Sequence, residues 1–425
     1  MKLGSLVLDS TPLRHKGFRT LFTGRLVSVV GSSITTVATA LQVWTITGST
    51  LDVGLISLAG GLPMVAGMLY GGTLADGSDR RTVLLCTQVP LALFSVGLAL
   101  NASAAHPLLW LIYLLTAVQG GLTGLGAPAR TAMIPTLVGP SLYASAAALT
   151  STLNTTAGLV GPALAGLLIA RVDVATAFWV DAATFGVYAL TLWSLPPQLP
   201  GEGSGRPGWR ALGQGMRYVR ENKAVGSVLL IDMSAMVFGM PKALFPALGS
   251  GLFHGGPVAV GLLYAAPGAG ALLGAAASGW TARVRKPGPI VLWSVCVWGG
   301  AIAVFGLMRS LPLALLMLVI AGTADVVSEI LRGTLLQLLT PDGLRGRISG
   351  LWLAQTNGAP AVGNAEAGAV AAAAGDTFSI VSGGLLCVLG ALLIAWRMPA
   401  LRHARLPQEE EPEHQPAAKA PAPAA

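Results

Sequence analysis

The sequence predicts an all-α polytopic membrane protein, with twelve transmembrane helices arranged as two pseudo-symmetric six-helix halves. Three observations carry that reading. Apolar residues make up 53% of the 425 residues and charged residues only 10%, against about 25% charged in an average soluble domain. The apolar residues fall into repeated runs of about 20, the length that crosses a bilayer as a helix. Segments of the first half also recur, in order, in the second.

A segment of residues 1–18, ending near His15-Lys16, leads into a first span from Arg19 to Trp44. No apolar core followed by a cleavage site stands near the start, so the first span is expected to be retained and to help set topology. Spans two to six follow at 52–74, 82–101, 107–129, 142–170 and 175–195, completing an N-terminal bundle over 19–195. The linker 196–222 breaks the pattern. Pro196-Pro197, Gly201-Glu202-Gly203-Ser204-Gly205 and Arg206-Pro207-Gly208 cannot continue a membrane helix. Arg210, Arg217, Arg220 and Lys223 then mark a basic return to the membrane, read as an ordinary connector, with an interfacial helix as the alternative. The C-terminal bundle, 223–397, has spans at 223–249, 257–280, 289–308, 311–339, 345–371 and 377–396. The tail 398–425, with Glu409-Glu410-Glu411 and a Pro/Ala-rich end, has no apolar periodicity and is expected to be a disordered cytoplasmic segment.

The distribution of charge orients this arrangement. With the start in the cytoplasm, 20 of the 26 Lys and Arg residues fall on the same side as the termini. Only Arg171 and Arg309 fall outside, while Arg25, Arg130, Lys242 and Arg332 are embedded or at a boundary. That asymmetry is the positive-inside pattern, and it places both termini in the cytoplasm. The net charge of +8 therefore reads as a topology signal and not as a nucleic-acid surface. Three cysteines, Cys86, Cys296 and Cys387, and five scattered histidines have no metal-ligand spacing. No glycine-rich phosphate loop ending in Gly-Lys-Ser/Thr is present. No nucleophile, acid/base or metal constellation rises above isolated polar residues, so no enzyme activity, cofactor or metal is expected.

The internal repeat has two registers. An offset of 207 carries Val53-Gly54-Leu55 onto Val260-Gly261-Leu262. An offset of 202 carries Gly161-Pro162-Ala163-Leu164-Ala165-Gly166 onto Gly363-Asn364-Ala365-Glu366-Ala367-Gly368, and Arg130 onto Arg332. Two such halves can rock about a central cavity and expose it alternately to either side.

Between spans two and three lies the polar stretch Gly71-Gly72-Thr73-Leu74-Ala75-Asp76-Gly77-Ser78-Asp79-Arg80-Arg81. Its charges predict a tight surface loop, and its glycines a close approach to neighbouring helices. This stretch resembles the signature loop of the major facilitator superfamily, and Gly158, Gly161-Pro162 and Gly166 resemble the glycine-proline pattern of its exporters. Further similarity to proton-driven efflux transporters, including enterobactin-type siderophore exporters and multidrug exporters, rests on Phe18-Arg19 with Arg25, Phe245-Pro246-Ala247-Leu248 and Gly261-Leu262-Leu263-Tyr264-Ala265-Ala266. It continues through Thr334-Leu335-Leu336-Gln337, Thr340-Pro341 and Gly346-Arg347-Ile348-Ser349-Gly350-Leu351-Trp352. The resemblance implies alternating-access export from a bacterial inner membrane, energised by the proton-motive force with no cofactor. It implies as partners a small-molecule substrate, protons and membrane lipids, with the chain functional as a monomer. The cargo implied is a siderophore of enterobactin type or a similar amphipathic molecule, with broad lipophilic drug efflux as the alternative. Gly71, Gly72, Asp76, Asp79, Arg80, Arg81, Gly161 and Pro162 would then serve gating.

Charges inside spans are the candidates for transport, because each costs about 2.5–3.5 kcal/mol at a bilayer centre on insertion scales. Asp325, Glu329 and Arg332 are spaced by four and three residues, on one helical face, where two acids beside an arginine can share a proton or else form a structural ion network that holds the tenth span against its neighbours. Asp232 lies mid-span among Met233, Met236 and Met240, either as a proton or substrate group or as one member of a fixed interhelical pair. Asp181 and Glu366 sit in outer halves of their spans, and Arg25 and Arg130 nearer the cytoplasmic side. Lys242, ten residues from Asp232, is too far along a straight helix to pair with it.

Overall fold

The computed structural model describes residues 9–199 and 209–403. The expected disordered tail lies largely outside the described residues, as do 1–8 and the Gly-rich centre of the linker. Six long helices form the N-terminal half: α1 (Lys16–Thr47), α2 (Thr50–Gly77), α3 (Arg80–Ala102), α4 (Leu109–Val138), α5 (Tyr143–Arg171) and α6 (Val174–Trp193). After α7 (Trp209–Glu221), the seventh span begins as α8 (Lys223–Phe238). It continues through a 3-10 turn at Lys242–Leu244, the single turn α9 (Phe245–Ala247) and a π-helical stretch at Leu248–Leu252. Then come α10 (Gly256–Ala276), α11 (Pro287–Leu307), α12 (Leu311–Leu339), α13 (Asp342–Ala374), α14 (Asp376–Arg397) and the short α15 (Pro399–His403). Among the described residues, eleven helical segments are long and apolar enough to cross a membrane. The twelfth, α13, has the length, at 33 residues, but is too polar to qualify.

Short turns make consecutive helices antiparallel. One end of the bundle therefore carries the chain termini (the terminal end), and the other carries the α1–α2, α5–α6 and α13–α14 turns (the far end). The halves are clasped at the far end. There α2 meets α13, and a Cβ on Gly54 would strike the Asn364 carbonyl. Likewise α5 meets α10, where Gly166 and Gly261 face each other so closely that neither has room for a side chain. Glycines remove the side-chain layer and let backbones pack directly, which is how membrane helices associate without a hydrophobic drive. The apolar cluster at this end joins Ile34, Val37 and Phe178 of the first half to Ala243 and Val260 of the second. At the terminal end, the clusters around Leu84 and Met133 and around Phe18 and Ile134 hold N-terminal-half residues alone.

Two features differ from the sequence expectation. The signature stretch is mostly helical, because α2 runs through Gly77 and α3 starts at Arg80, leaving only Ser78 and Asp79 as the turn. Charges at the ends of the helices reach water there, so the helices need not stop for them. The seventh span is also not continuous. It breaks across Gly239, Met240 and Pro241, since Pro241 has no N–H to give the helical ladder. In the linker, α7 is a 13-residue helix held to the C-terminal half, its Tyr218 hydroxyl donating to the Leu339 carbonyl at 2.8 Å.

Candidate functional site

A cavity of about 320 Å³ lies between the halves beneath the far-end clasp. Its wall is mostly N-terminal: Ser32, Thr35 and Thr39 of α1, Ser57 and Met64 of α2, Thr116 and Gln119 of α4, and Asp181 with Phe185 of α6. Lys242, Tyr264 and Asn364 complete it from the C-terminal half. The lining is amphipathic, with hydroxyls and amides among apolar side chains.

Asp181 is fully buried. Its Oδ2 accepts the Ser95 hydroxyl at 2.7 Å, and Ser95 Oγ accepts from Gln119 Nε2 at 2.9 Å, tying α3, α4 and α6 into one polar chain. Its Oδ1 has no hydrogen-bond partner among the described residues. A buried carboxylate oxygen left open at a cavity wall is a ready acceptor for a proton or a donor group.

The break in the seventh span delivers Lys242 to this cavity. Backbone groups freed by the break find partners on neighbouring helices: Asn364 Oδ1 accepts the Ala243 N–H at 3.1 Å, and the Tyr264 hydroxyl donates to the Lys242 carbonyl at 3.0 Å. Irregular backbone inside a membrane survives where neighbours satisfy it and where it lines a cavity. Asn364, Tyr264 and a cavity-lining Lys242 were not among the site residues expected from sequence. The available signal was Gly239-Met240-Pro241 directly before a lysine inside an apolar run.

Behind the cavity, in the C-terminal half, sits an ion network. Arg332 of α12, wholly buried, lies 3.0 Å (Nη1) from Asp232 Oδ1 of α8 and 3.4 Å (Nη2) from Asp325 Oδ1 on its own helix. Gln355 of α13 donates at 2.7 Å to Asp232 Oδ2 and at 2.9 Å to the Leu229 carbonyl. Three helices therefore meet at one guanidinium–carboxylate pair. Asp325, two helical turns from Arg332, is 23% exposed, whereas Asp232 is 2% exposed. The structure thus brings Asp232, Asp325 and Arg332 together and leaves Glu329 outside ion-pair distance of them. Lys242 and Asp232 form no ion pair, in keeping with their spacing. Glu366, half-buried on α13, forms no ion pair with a described residue. Arg25 and Arg130 share a separate small pocket at the terminal end of the first half.

The signature turn is stitched to its own half. Asp79 caps α3, Oδ1 accepting from the Arg81 N–H at 3.2 Å and the Gln198 N–H at 2.6 Å, while Oδ2 accepts the Thr82 hydroxyl at 2.7 Å. Partial burial opposes its charge, but these hydrogen bonds outweigh burial and hold the carboxyl below its ordinary value of 3.8. Arg80 Nη1 donates to the Ala132 carbonyl of α4 at 3.1 Å, and Arg81 Nη2 to the Trp193 carbonyl ending α6 at 2.7 Å. Arg81, on the carbonyl end of α6, is favourable both as a hydrogen bond and against the helix dipole. At the start of the stretch, a Cβ on Gly71 would collide with the Leu125 carbonyl, which explains that glycine. Gly161 and Pro162 lie on α5 where it packs against α1 and α10, in the far-end clasp.

Twelve helices in two halves about a polar-walled cavity agree with comparison to known proteins. The profile of the transmembrane secretion effector family matches residues 9–424. The chain belongs to this family of the major facilitator superfamily. Enterobactin exporter EntS of Citrobacter koseri is 33% identical over 393 residues, covering 92% of this chain and 94% of that protein. EntS of Escherichia coli is 34% identical over the same coverage. Among solved structures, a bacterial homologue of the human lysosomal transporter Spinster, inward-facing and occupied, superposes with a TM-score of 0.73 at 16% identity. That match covers 93% of this chain and 100% of the other. The chain is a multi-pass membrane transporter and not an enzyme.

Proposed function

We propose that this transporter exports an amphipathic small molecule of the enterobactin-type siderophore class by proton-coupled alternating access, from a bacterial inner membrane with both termini cytoplasmic and as a monomer. The observation that carries the reading is the Asp232–Arg332–Asp325 network, set behind a cavity whose far end is clasped shut by α2 with α13 and α5 with α10. Of the two carboxylates on Arg332, Asp325 is the more exposed, 23% against 2% for Asp232, so it is the one assigned to exchange the proton. Protonating it releases one of the two anions on Arg332 and shifts the burden of neutralising that buried guanidinium onto Asp232. Asp232 is also held by Gln355 on α13, the helix that forms the far-end clasp with α2. A charge change at Asp325 is thereby linked through α8 and α13 to the surface that must open. The curated relatives named as enterobactin exporters support the direction and the cargo class. Lys242 on the cavity wall suits a cargo carrying acidic groups, and the apolar lining suits its aromatic portions.

Flux into proteoliposomes tests this. Uptake of a catecholate siderophore should reverse with the sign of the pH gradient and be lost in Asp325→Asn, while cargo binding by that variant persists. Flux indifferent to both pH gradient and voltage would overturn proton coupling. Transport of lipophilic cations without any catecholate flux would favour multidrug efflux instead.

A further inference from the structure

The ion network of the C-terminal half has a counterpart in the N-terminal half, with one sign reversed. The 207-residue offset that aligns Val53 with Val260 also carries Arg25 of α1 onto Asp232 of α8, and the 202-residue offset carries Arg130 of α4 onto Arg332 of α12. In the second half these positions form a carboxylate–guanidinium pair at 3.0 Å. In the first half both are arginines, and they line one pocket with Phe18, Phe22, Ile134 and Thr150. Neither makes an ion pair with a described residue. The Nε of each is buried without a hydrogen-bond acceptor. A third orphan donor is nearby: the Tyr188 hydroxyl, on a residue fully buried on α6 against Gly24, which precedes Arg25 in the chain, has no partner among the described residues.

Two guanidiniums sharing a pocket without a carboxylate repel each other and leave donors unsatisfied, a combination that proteins otherwise avoid. We infer that Arg25 and Arg130 form an anion-binding subsite, in which an external anion takes the place that Asp232 fills in the other half. The pocket between the two arginines measures about 20 Å³ and is walled almost entirely by carbon, so the anion is held at the guanidinium N–H groups around it and not inside it. Either a small inorganic anion or the anionic group of a larger molecule satisfies those donors. The aromatic rings of Phe18 and Phe22, 5.8 Å apart, wall the pocket on the α1 side. The site itself stands without the export reading; only the identification of its occupant with the acidic end of a cargo rests on that reading.

The test is thermal unfolding of the full chain in detergent, titrated with chloride or with benzoate at an ionic strength held constant by a bulky sulfonate. The wild type should be stabilised saturably by at least one of the two. Chloride alone identifies a free inorganic ion, and benzoate alone identifies the acidic group of an organic molecule; either outcome supports the subsite. Arg130→Gln should weaken the midpoint by about tenfold or more. Arg25→Asp recreates the pairing of the other half, so it should fold, be no less stable without added anion, and lose the response altogether. An unchanged response in Arg25→Asp and Arg130→Gln, or no saturable response in the wild type, would overturn the inference. Because the readout is binding, a failure of proton-driven export in the flux assay would leave this result standing, and the converse holds as well.

Discussion

At the scale of single residues, the strongest commitments are buried charges. Arg332 has no exposure and its shorter ion pair is with Asp232, so Asp232→Asn leaves a buried guanidinium with only the longer contact to Asp325. Breaking such a pair by removing one partner costs about 3–5 kcal/mol. Asp232→Asn should therefore unfold at markedly lower temperature than Asp325→Asn, measured side by side in the same detergent, since Asp325 is the more exposed and more distant partner. Asp79 gives a prediction in pH. Its folded pKa lies below the ordinary value, so its stabilisation is fully present above pH 3.8 and is lost as pH falls through the lower folded value. The stability gap between wild type and Asp79→Asn should be constant near neutral pH and close only below that value, as thermal melts across a pH series would show. How much of this was legible beforehand varies with chemistry. Asp325, Arg332 and Asp232 stand out in sequence because charge in an apolar run is costly. Which of them pair was not legible, because Arg332 chooses between a neighbour on its own helix and one on α8, and only the packing of helices decides.

Individual elements show the same divide. Eleven of the twelve spans and their order can be read from hydropathy alone, since a bilayer penalises any other backbone, while α13 is too polar for that and shows by its length and its place in the repeat. The break at Gly239–Pro241 could not be read with the same ease, because prolines also occur inside continuous spans such as α2, α3 and α5. What separates the two cases is whether a neighbour accepts or donates to the freed backbone, and here Asn364 and Tyr264 do. Asn364→Ala should leave the Ala243 N–H buried and unpaired, costing about 1–3 kcal/mol. It should lower transport by displacing Lys242, while Lys242→Met lowers transport of an acidic cargo without that loss of stability. Unfolding and flux measured on both variants would separate the effects. In the clasp, Gly261→Val has no room against Pro162 and Gly166. It should prevent far-end closure and cut transport by more than about tenfold, equivalent to about 1.4 kcal/mol or more in the closing equilibrium.

For the whole molecule, the asymmetry of its cores sets the expected motion. An apolar cluster crosses between halves at the far end, whereas the clusters of the first half at the terminal end stay within it. Spin labels at Ser49 and Gly375 should therefore report a short distance in this state and a longer one after switching, while labels at Ser78 and Gly343 should move in the opposite sense. Both pairs moving in the same direction would exclude rocking of the halves. The duplicated architecture was legible from ordered glycine matches. The charge reversal within it was not, because Arg25 and Asp232 become equivalent only once the two helices are seen to hold equivalent places.

The polarity of α13 has a further consequence, for synthesis. A helix that carries Asn364 and Glu366 and faces a cavity and a partner helix need not be apolar around its circumference. During translation, however, it must enter the bilayer before its neighbours are assembled, and an ionised side chain within a span opposes insertion, by about 2.5–3.5 kcal/mol at the helix centre and less towards its end. A single residue, Gly375, joins it to the strongly apolar α14, with a φ of +90° that only glycine adopts readily. The last two spans are thus built to enter the membrane as one hairpin. Placed alone in a host protein, 342–374 should insert poorly, and extension through Arg397 should rescue it.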